Sequence, residues 1–231
     1  MQDALPVGFG LRLAQAMAGI ESATQRLQAE IAKNAKIQFG GAAGTRAGLA
    51  GKGAAVVRRM AKALGLAADM PWHARREGIA AIAASLGIVI GALGKLARDI
   101  SLLAQNTIGE AQEPATAGRG GSSAMAHKRN PTGCQVALSA ALRAPGLVAT
   151  MLSSLPAEGE RGLGGWQAEG PVLAELFLLA AGSAEAMAVV AEGLDVDEAA
   201  IARNLQAAAM GSDIGESAAI VSELLAHHRK G

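Results

Sequence analysis

The sequence is poor in the residues that build cross-linked, metal-rich or base-stacking proteins. It has one cysteine, Cys134, which excludes an internal disulfide framework and any cysteine-rich metal site. It has no tyrosine, three phenylalanines and two tryptophans, too few for a base-stacking surface or an aromatic ligand cage. Charge of one sign is not in excess. The 21 Lys and Arg against 20 Asp and Glu leave a formal +1, so bulk electrostatics exclude a polybasic nucleic-acid binder. Runs of alternating β-branched residues are missing, and almost no sheet is expected. The opening Met1-Gln2-Asp3-Ala4-Leu5-Pro6 carries neither the basic nor the apolar region of a secretory signal. No Walker sequence or post-strand GxGxxG supports nucleotide binding.

What the chain does have is apolar and small. Hydrophobic residues make up 51% and glycine contributes 30 positions, which excludes disorder. A length of 231 residues suits one domain, or a domain with a small appendage, and can bury a sizeable core. The expected fold is all-α, a bundle of long helices whose Ala and Gly positions let backbones approach closely. Helical spacing of Leu13, Met17, Ile20, Ala23, Leu27 and Ile31 predicts a first helix from Leu5 to Ile37. The Gly-rich stretch Gln38 to Thr45 ends it. A short amphipathic helix follows from Gly53 to Leu64, with Arg58, Arg59 and Lys62 outward.

Pro71 reads as the start of a long helix from Trp72 to Gln105. Its middle is apolar on every side, with Ile79, Ile82, Leu86, Ile88, Val89, Ile90 and Leu93. Such a helix must be enclosed by others, and a chain this short has too few to enclose it. Equivalent helices of other subunits are expected to complete the core. Gly78 to Gly94 has no charge between Glu77 and Lys95, close to the minimum for a membrane span. It is rich in Ala and Gly, however, and its charged flanks continue the helical pattern, so a helix buried in a soluble, cytoplasmic assembly is expected. Further helices are expected at Pro131 to Leu155, at Gly165 to Gly193, and from a cap at Asp195 or Asp197 through Gln206. A last amphipathic segment runs from Ser212 to Lys230. Residues 1–207 are thus expected to form a central helical bundle, with a functional loop at 109–131 and a helical tail at 208–231.

The segment Gly118 to Pro131 stands apart. Three glycines and two serines precede a helix whose first position is read as Pro131. Free N–H groups at a helix start can hold an anion, and Lys128 and Asn130 add a cation and a neutral donor. A serine needs stabilisation of its alkoxide before it can act as a base. On chemistry alone the segment reads as an anion site with a serine acid/base, or as a flexible loop with ordinary helix capping.

Gly121-Ser122-Ser123-Ala124-Met125-Ala126-His127-Lys128-Arg129-Asn130-Pro131 resembles the GSSxMPxKxNP motif of the fumarase/aspartase superfamily. Gln38 to Thr45, Pro71-Trp72-His73 with Arg75-Arg76, Gly94 to Ile100, and Glu160-Arg161 with Trp166-Gln167-Ala168-Glu169 are similar to one branch, the bacterial 3-carboxy-cis,cis-muconate cycloisomerases. The resemblance covers about residues 2 to 206. It implies a central bundle of long helices that assembles as a homotetramer, with active sites built from three subunits. It implies Ser122 as catalytic acid/base, and Lys128 and Asn130 as the groups that hold a substrate carboxylate and stabilise the aci-carboxylate. Ser123, Met125, Arg161, Gln2 and His127 are the implied substrate-binding residues. The implied reaction adds a carboxylate across a double bond of 3-carboxy-cis,cis-muconate, a small polycarboxylate, to give 4-carboxymuconolactone. Neither metal nor other cofactor is implied.

The chain departs from the family pattern in four places. Ala126 stands where the motif has proline, and Gly170 where a tryptophan follows Glu169. An N-terminal domain is expected to be absent, and the C-terminal helical domain absent or shortened. Two alternatives therefore stay open: an inactive helical oligomerisation scaffold, and another lyase of the superfamily of the adenylosuccinate or argininosuccinate type. Elsewhere, His73 and Cys134 read as structural residues. His227-His228 lack a third metal ligand at helical spacing.

Overall fold

The computed structural model describes residues 4–115, 118–125 and 128–229. Helices dominate them, in the order α1 (Phe9–Asn34), α2 (Gly53–Leu64), α3 (Glu77–Leu103), α4 (Thr132–Ser153), α5 (Gly165–Glu192), α6 (Glu198–Ala208) and α7 (Ser217–His228). Sheet is limited, among the described residues, to one antiparallel pair. It joins β1 (Ala111–Gln112) to β2 (Asp195–Val196), with Ala111 opposite Val196. The all-α expectation holds, and each expected helix is present, α2 at its expected bounds and the others with shifted ends.

The shift at the start of α3 has a tertiary cause. Pro71 does not open α3, which begins at Glu77. The backbone N–H of Trp72 donates to Gln38 Oε1 at 2.9 Å, and its indole N–H donates to the Ile37 carbonyl at 3.1 Å. These bonds to the segment after α1 hold residues 71–76 in an irregular strap. A second shift is small: α4 starts at Thr132, and Pro131 supplies the carbonyl that accepts from Gln135 N–H at 2.9 Å. Proline suits that position because its missing N–H has no helical use there.

Contacts divide the chain into two units. One comprises the chain up to Ala23, Val89–Leu142 and everything from Leu179. Its core includes Val89, Ile90, Leu93, Ala97, Ile100 and Leu103 of α3, and Cys134, Ala137 and Ala140 of α4. Gly94 allows close approach there, since an added Cβ would lie 2.6 Å from that of Ala141. The loop after α3 is tied down by α6. The Asn204 side-chain amide donates to the Ile108 carbonyl and to Glu110 Oε1, both at 2.9 Å. Asp197 caps α6 through the Ala200 N–H at 2.8 Å.

The second unit comprises Thr24–Ile88 and Arg143–Leu178. There α2 buries Val57 and Ala61 with Ile37, flanked by Phe39 and Met60. It ends at Gly65 with φ +66°, where the Gly65 N–H returns to the Ala61 carbonyl. Its charged pair Arg76–Glu169 has only 11% and 6% of the side chains exposed.

Three helices, α3, α4 and α5, are long and apolar enough to cross a membrane by length and composition. The sequence pattern singled out only the first. Within the chain 56% of the most apolar window of α3 is buried, against 22% for each of the other two. Leu142 on α4 and Leu178 on α5 are 78% and 73% exposed.

Candidate active site

The Gly-rich segment before α4 folds on its own backbone. Gly120 has φ +74°, and its carbonyl accepts from the Asn130 backbone N–H at 2.7 Å and from the Asn130 side-chain amide at 3.2 Å. A Cβ at Gly120 would sit 2.8 Å from the Asn130 carbonyl oxygen, so only glycine closes this turn without displacing Asn130. Between these two anchors the chain presents Ser122. Its Oγ accepts from the backbone N–H groups of Ala124 at 3.3 Å and Met125 at 3.2 Å, a serine turn. Both acceptor positions of the hydroxyl are engaged, so its remaining bond is the one its own proton can make. The same two amides face the charge that appears on Oγ when that proton leaves.

A pocket of about 500 Å³ adjoins this segment, lined among others by Asn106, Arg119, Met125, Lys128, Arg129 and Asn130. Three cations and three amide side chains, Gln112 being the third, outweigh the one carboxylate of the lining, Glu113, and suit a multiply anionic ligand. Lys128 is exposed and Asn130 half-buried. Gly121 and Met125 line the pocket, whereas Ser122 and Ser123 do not. Gln2 and His127 lie outside the described residues.

The helix-start anion site read from the sequence is already filled. Glu113 Oε2 accepts from the Gly133 N–H at 2.9 Å and Oε1 from the Cys134 N–H at 2.6 Å. A carboxylate at the positive end of α4 is favourable, and it withholds those amides from a ligand. Sequence reasoning missed this residue, which lies 20 positions before Gly133 in the expected loop; a carboxylate followed by Pro114 and then by glycines was the available signal. Cys134 is fully buried. Burial first, then its hydrogen bond to Glu113, push its thiol well above the ordinary range, which makes it inert as a nucleophile.

Arg161 belongs to the other unit. Its guanidinium donates to the Ala42 carbonyl at 3.1 Å and the Gly41 carbonyl at 3.0 Å, and lies 4.8 Å from the centre of the Trp166 ring. The turn it grips is held by His73, 7% exposed. His73 Nε2 lies 2.9 Å from the Gly41 carbonyl, and its Nδ1 is 2.5 Å from Gln38 Nε2. The carbonyl requires a proton on Nε2, so Nδ1 is the acceptor of the glutamine amide. A Cβ at Gly40 would lie 2.5 Å from the imidazole. Arg76 makes a two-pronged ion pair with Glu169 and lies 4.9 Å from the centre of the Trp72 ring. Trp72, His73, Arg76, Arg161, Trp166 and Glu169 are thus bound into structure within one unit. Gly170 is open, with nothing within 4 Å of an added Cβ. Among the described residues, no group of three or more His, Cys, Asp or Glu is placed to hold a metal ion.

Comparison with known proteins gives consistent results. The sequence model of a family described as Lyase matches residues 1–146. A 3-carboxy-cis,cis-muconate cycloisomerase of Bradyrhizobium diazoefficiens is 46% identical over 208 residues, 90% of this chain and 46% of the relative. The Pseudomonas aeruginosa protein of the same name is 46% identical over 206 residues, 89% of this chain and 45% of the relative. The crystal structure of a 3-carboxy-cis,cis-muconate lactonizing enzyme from Pseudomonas putida superposes with a TM-score of 0.80 at 41% identity, covering 88% of this chain and 44% of that one. The chain therefore spans about half the length of the curated relatives it matches.

Proposed function

This chain belongs to the lyase family of the fumarase/aspartase superfamily, and from that premise we propose that it is the catalytic core of a cycloisomerase acting on 3-carboxy-cis,cis-muconate. The observation that carries the reading is the Ser122 hydroxyl, which accepts two backbone amides and keeps its proton to give. In the forward step a substrate carboxylate oxygen forms a bond to one carbon of a double bond. The π pair moves toward the other carbon, and an aci-carboxylate gathers charge. Lys128 and Asn130 stabilise that charge. Ser122 delivers its proton to the carbon α to the carboxylate, closing 4-carboxymuconolactone, and regains a proton from solvent. The reverse step is a β-elimination, the chemistry of a lyase.

Ser123, Met125, Arg161, Gln2 and His127 are the proposed substrate-binding residues. Residues 1–207 form the proposed central bundle, with its catalytic loop at 109–131, and 208–231 the tail. The working particle is a cytoplasmic homotetramer, free of membrane and nucleic acid. What supports assembly is the exposed apolar surface of α4 and α5, with Leu142, Leu178 and Val189. What supports a water-soluble particle is that the same helices carry Arg143 and Glu175 as an ion pair more than a third exposed on each side chain, costly against lipid.

A direct spectroscopic assay of lactone formation tests the proposal. Wild-type protein turns over 3-carboxy-cis,cis-muconate and Ser122→Ala does not; undiminished turnover by the variant removes Ser122 from the mechanism. The half-length match to the relatives favours a second reading, a helical scaffold that assembles without catalysis. An assembled wild-type particle with no lactone formation selects it.

A further inference from the structure

We propose that Glu113 is the positioning residue of the pocket beside Ser122, gripping Arg129 on one side of Asn130 and the first amides of α4 on the other so that Asn130 and the adjoining Lys128 face the ligand. The inference rests on the reading of that pocket as a polycarboxylate site. On the N-terminal side of Asn130, the Glu113 backbone carbonyl accepts from the Arg129 guanidinium at 2.7 Å. On the C-terminal flank, its two carboxylate oxygens accept from the Gly133 and Cys134 amides at 2.9 and 2.6 Å. Asn130, Pro131 and Thr132 lie between these grips and line the pocket, as do Arg129 and the adjoining Lys128.

The local sequence fits this use of a carboxylate. Two amides at a helix start need two acceptor atoms, and a full negative charge there is worth more than a neutral oxygen. Gly133 leaves room for it, since a Cβ would lie 3.3 Å from Oε2 and 2.5 Å from Val190. The buried Cys134 thiol is a third donor to the same carboxylate. The clamp also sets specificity. With the amides of α4 occupied, a ligand carboxylate is held by side chains alone, by Lys128 and Asn130 with Arg119 beside them. Their placement then decides which spacing of carboxylates is accepted.

The test compares the full wild-type chain with Glu113→Gln and Glu113→Ala. Glutamine keeps the volume and one acceptor oxygen; alanine keeps neither. Residue-resolved hydrogen exchange at Gly133 and Cys134 rises about tenfold or more in Glu113→Ala and by less in Glu113→Gln, while α2 is unchanged. Binding of tricarballylate, a flexible tricarboxylate, measured by calorimetry, weakens about tenfold in Glu113→Ala and is partly restored in Glu113→Gln.

Unchanged exchange at Gly133 and Cys134, or equal acceleration throughout the chain, overturns the clamp. Exchange that responds while all three proteins bind tricarballylate equally overturns the positioning role. A wild-type protein that does not bind tricarballylate defeats the polycarboxylate reading instead, and the exchange results then judge the clamp by themselves. If Glu113→Ala does not fold, the graded response of Glu113→Gln against wild type decides the same questions.

Discussion

At Ser122 the proposed chemistry rests on backbone amides, because no imidazole or carboxylate side chain is bonded to its Oγ among the described residues. Removing the hydroxyl is therefore expected to lower turnover by about 100- to 10,000-fold while leaving the unfolding midpoint near that of wild type, since Ser122 is only half-buried. Lactone formation and a thermal melt on the same samples check both halves. Gly120 makes the opposite kind of prediction. Gly120→Ala places a Cβ 2.8 Å from the Asn130 carbonyl and forces alanine to φ +74°. A cost of about 1 to 2 kcal/mol is expected from the backbone conformation alone. Asn130 moves with the turn, so ligand affinity falls along with stability. Calorimetric binding of a tricarboxylate that matched wild type would show the turn to be unnecessary.

Among the elements, the strap at residues 71–76 joins α3 to the segment after α1 through polar contacts. Its strongest tie is Arg76 with Glu169, with each side chain little exposed. Glu169→Ala leaves a buried guanidinium unpaired and is expected to cost about 3 to 5 kcal/mol, whereas joint replacement of both residues by apolar ones of similar volume costs far less. Denaturant titration of the single and double variants checks this. The Lys36–Asp69 pair at 3.0 Å behaves differently because it faces solvent. The hydrogen bond from Lys36 is the main cause that holds the Asp69 carboxyl below its usual range. A lowered folded-state value means that the contribution is present above the ordinary carboxylate range and is lost as pH falls through the folded value. It is small, since the pair is screened. Lys36→Met is expected to flatten the acid limb of stability against pH slightly, with no change at neutral pH in its slope, as thermal melts across the acid range would show.

For the whole molecule the expectation is assembly. Leu142 and Leu178 are more exposed than buried side chains of their type normally are in a monomer. Light scattering is expected to give a particle several times the 23.1 kDa of one chain. Leu142→Glu and Leu178→Glu, each placing a charge on an apolar face, are expected to shift it toward smaller species. A well-folded monomer in the wild-type protein would refute the assembly and leave α4 and α5 without an explanation for their surfaces.

The sequence by itself determined the helices, because the three- and four-residue spacing of apolar side chains is a local property, visible in α1, α2 and α6 without any partner. It also singled out the candidate catalytic segment, since the motif from Gly121 to Pro131 is contiguous. Only the tertiary structure decided what depends on residues far apart. It moved the start of α3 from Trp72 to Glu77, because Gln38 and Ile37 claim the Trp72 donors from more than thirty positions away. It gave the amides of α4 to Glu113 rather than to a ligand. It also turned Arg161 toward the Gly41–Ala42 carbonyls. Periodicity reports which way a side chain points from its own helix, and not which distant donor or acceptor meets it there.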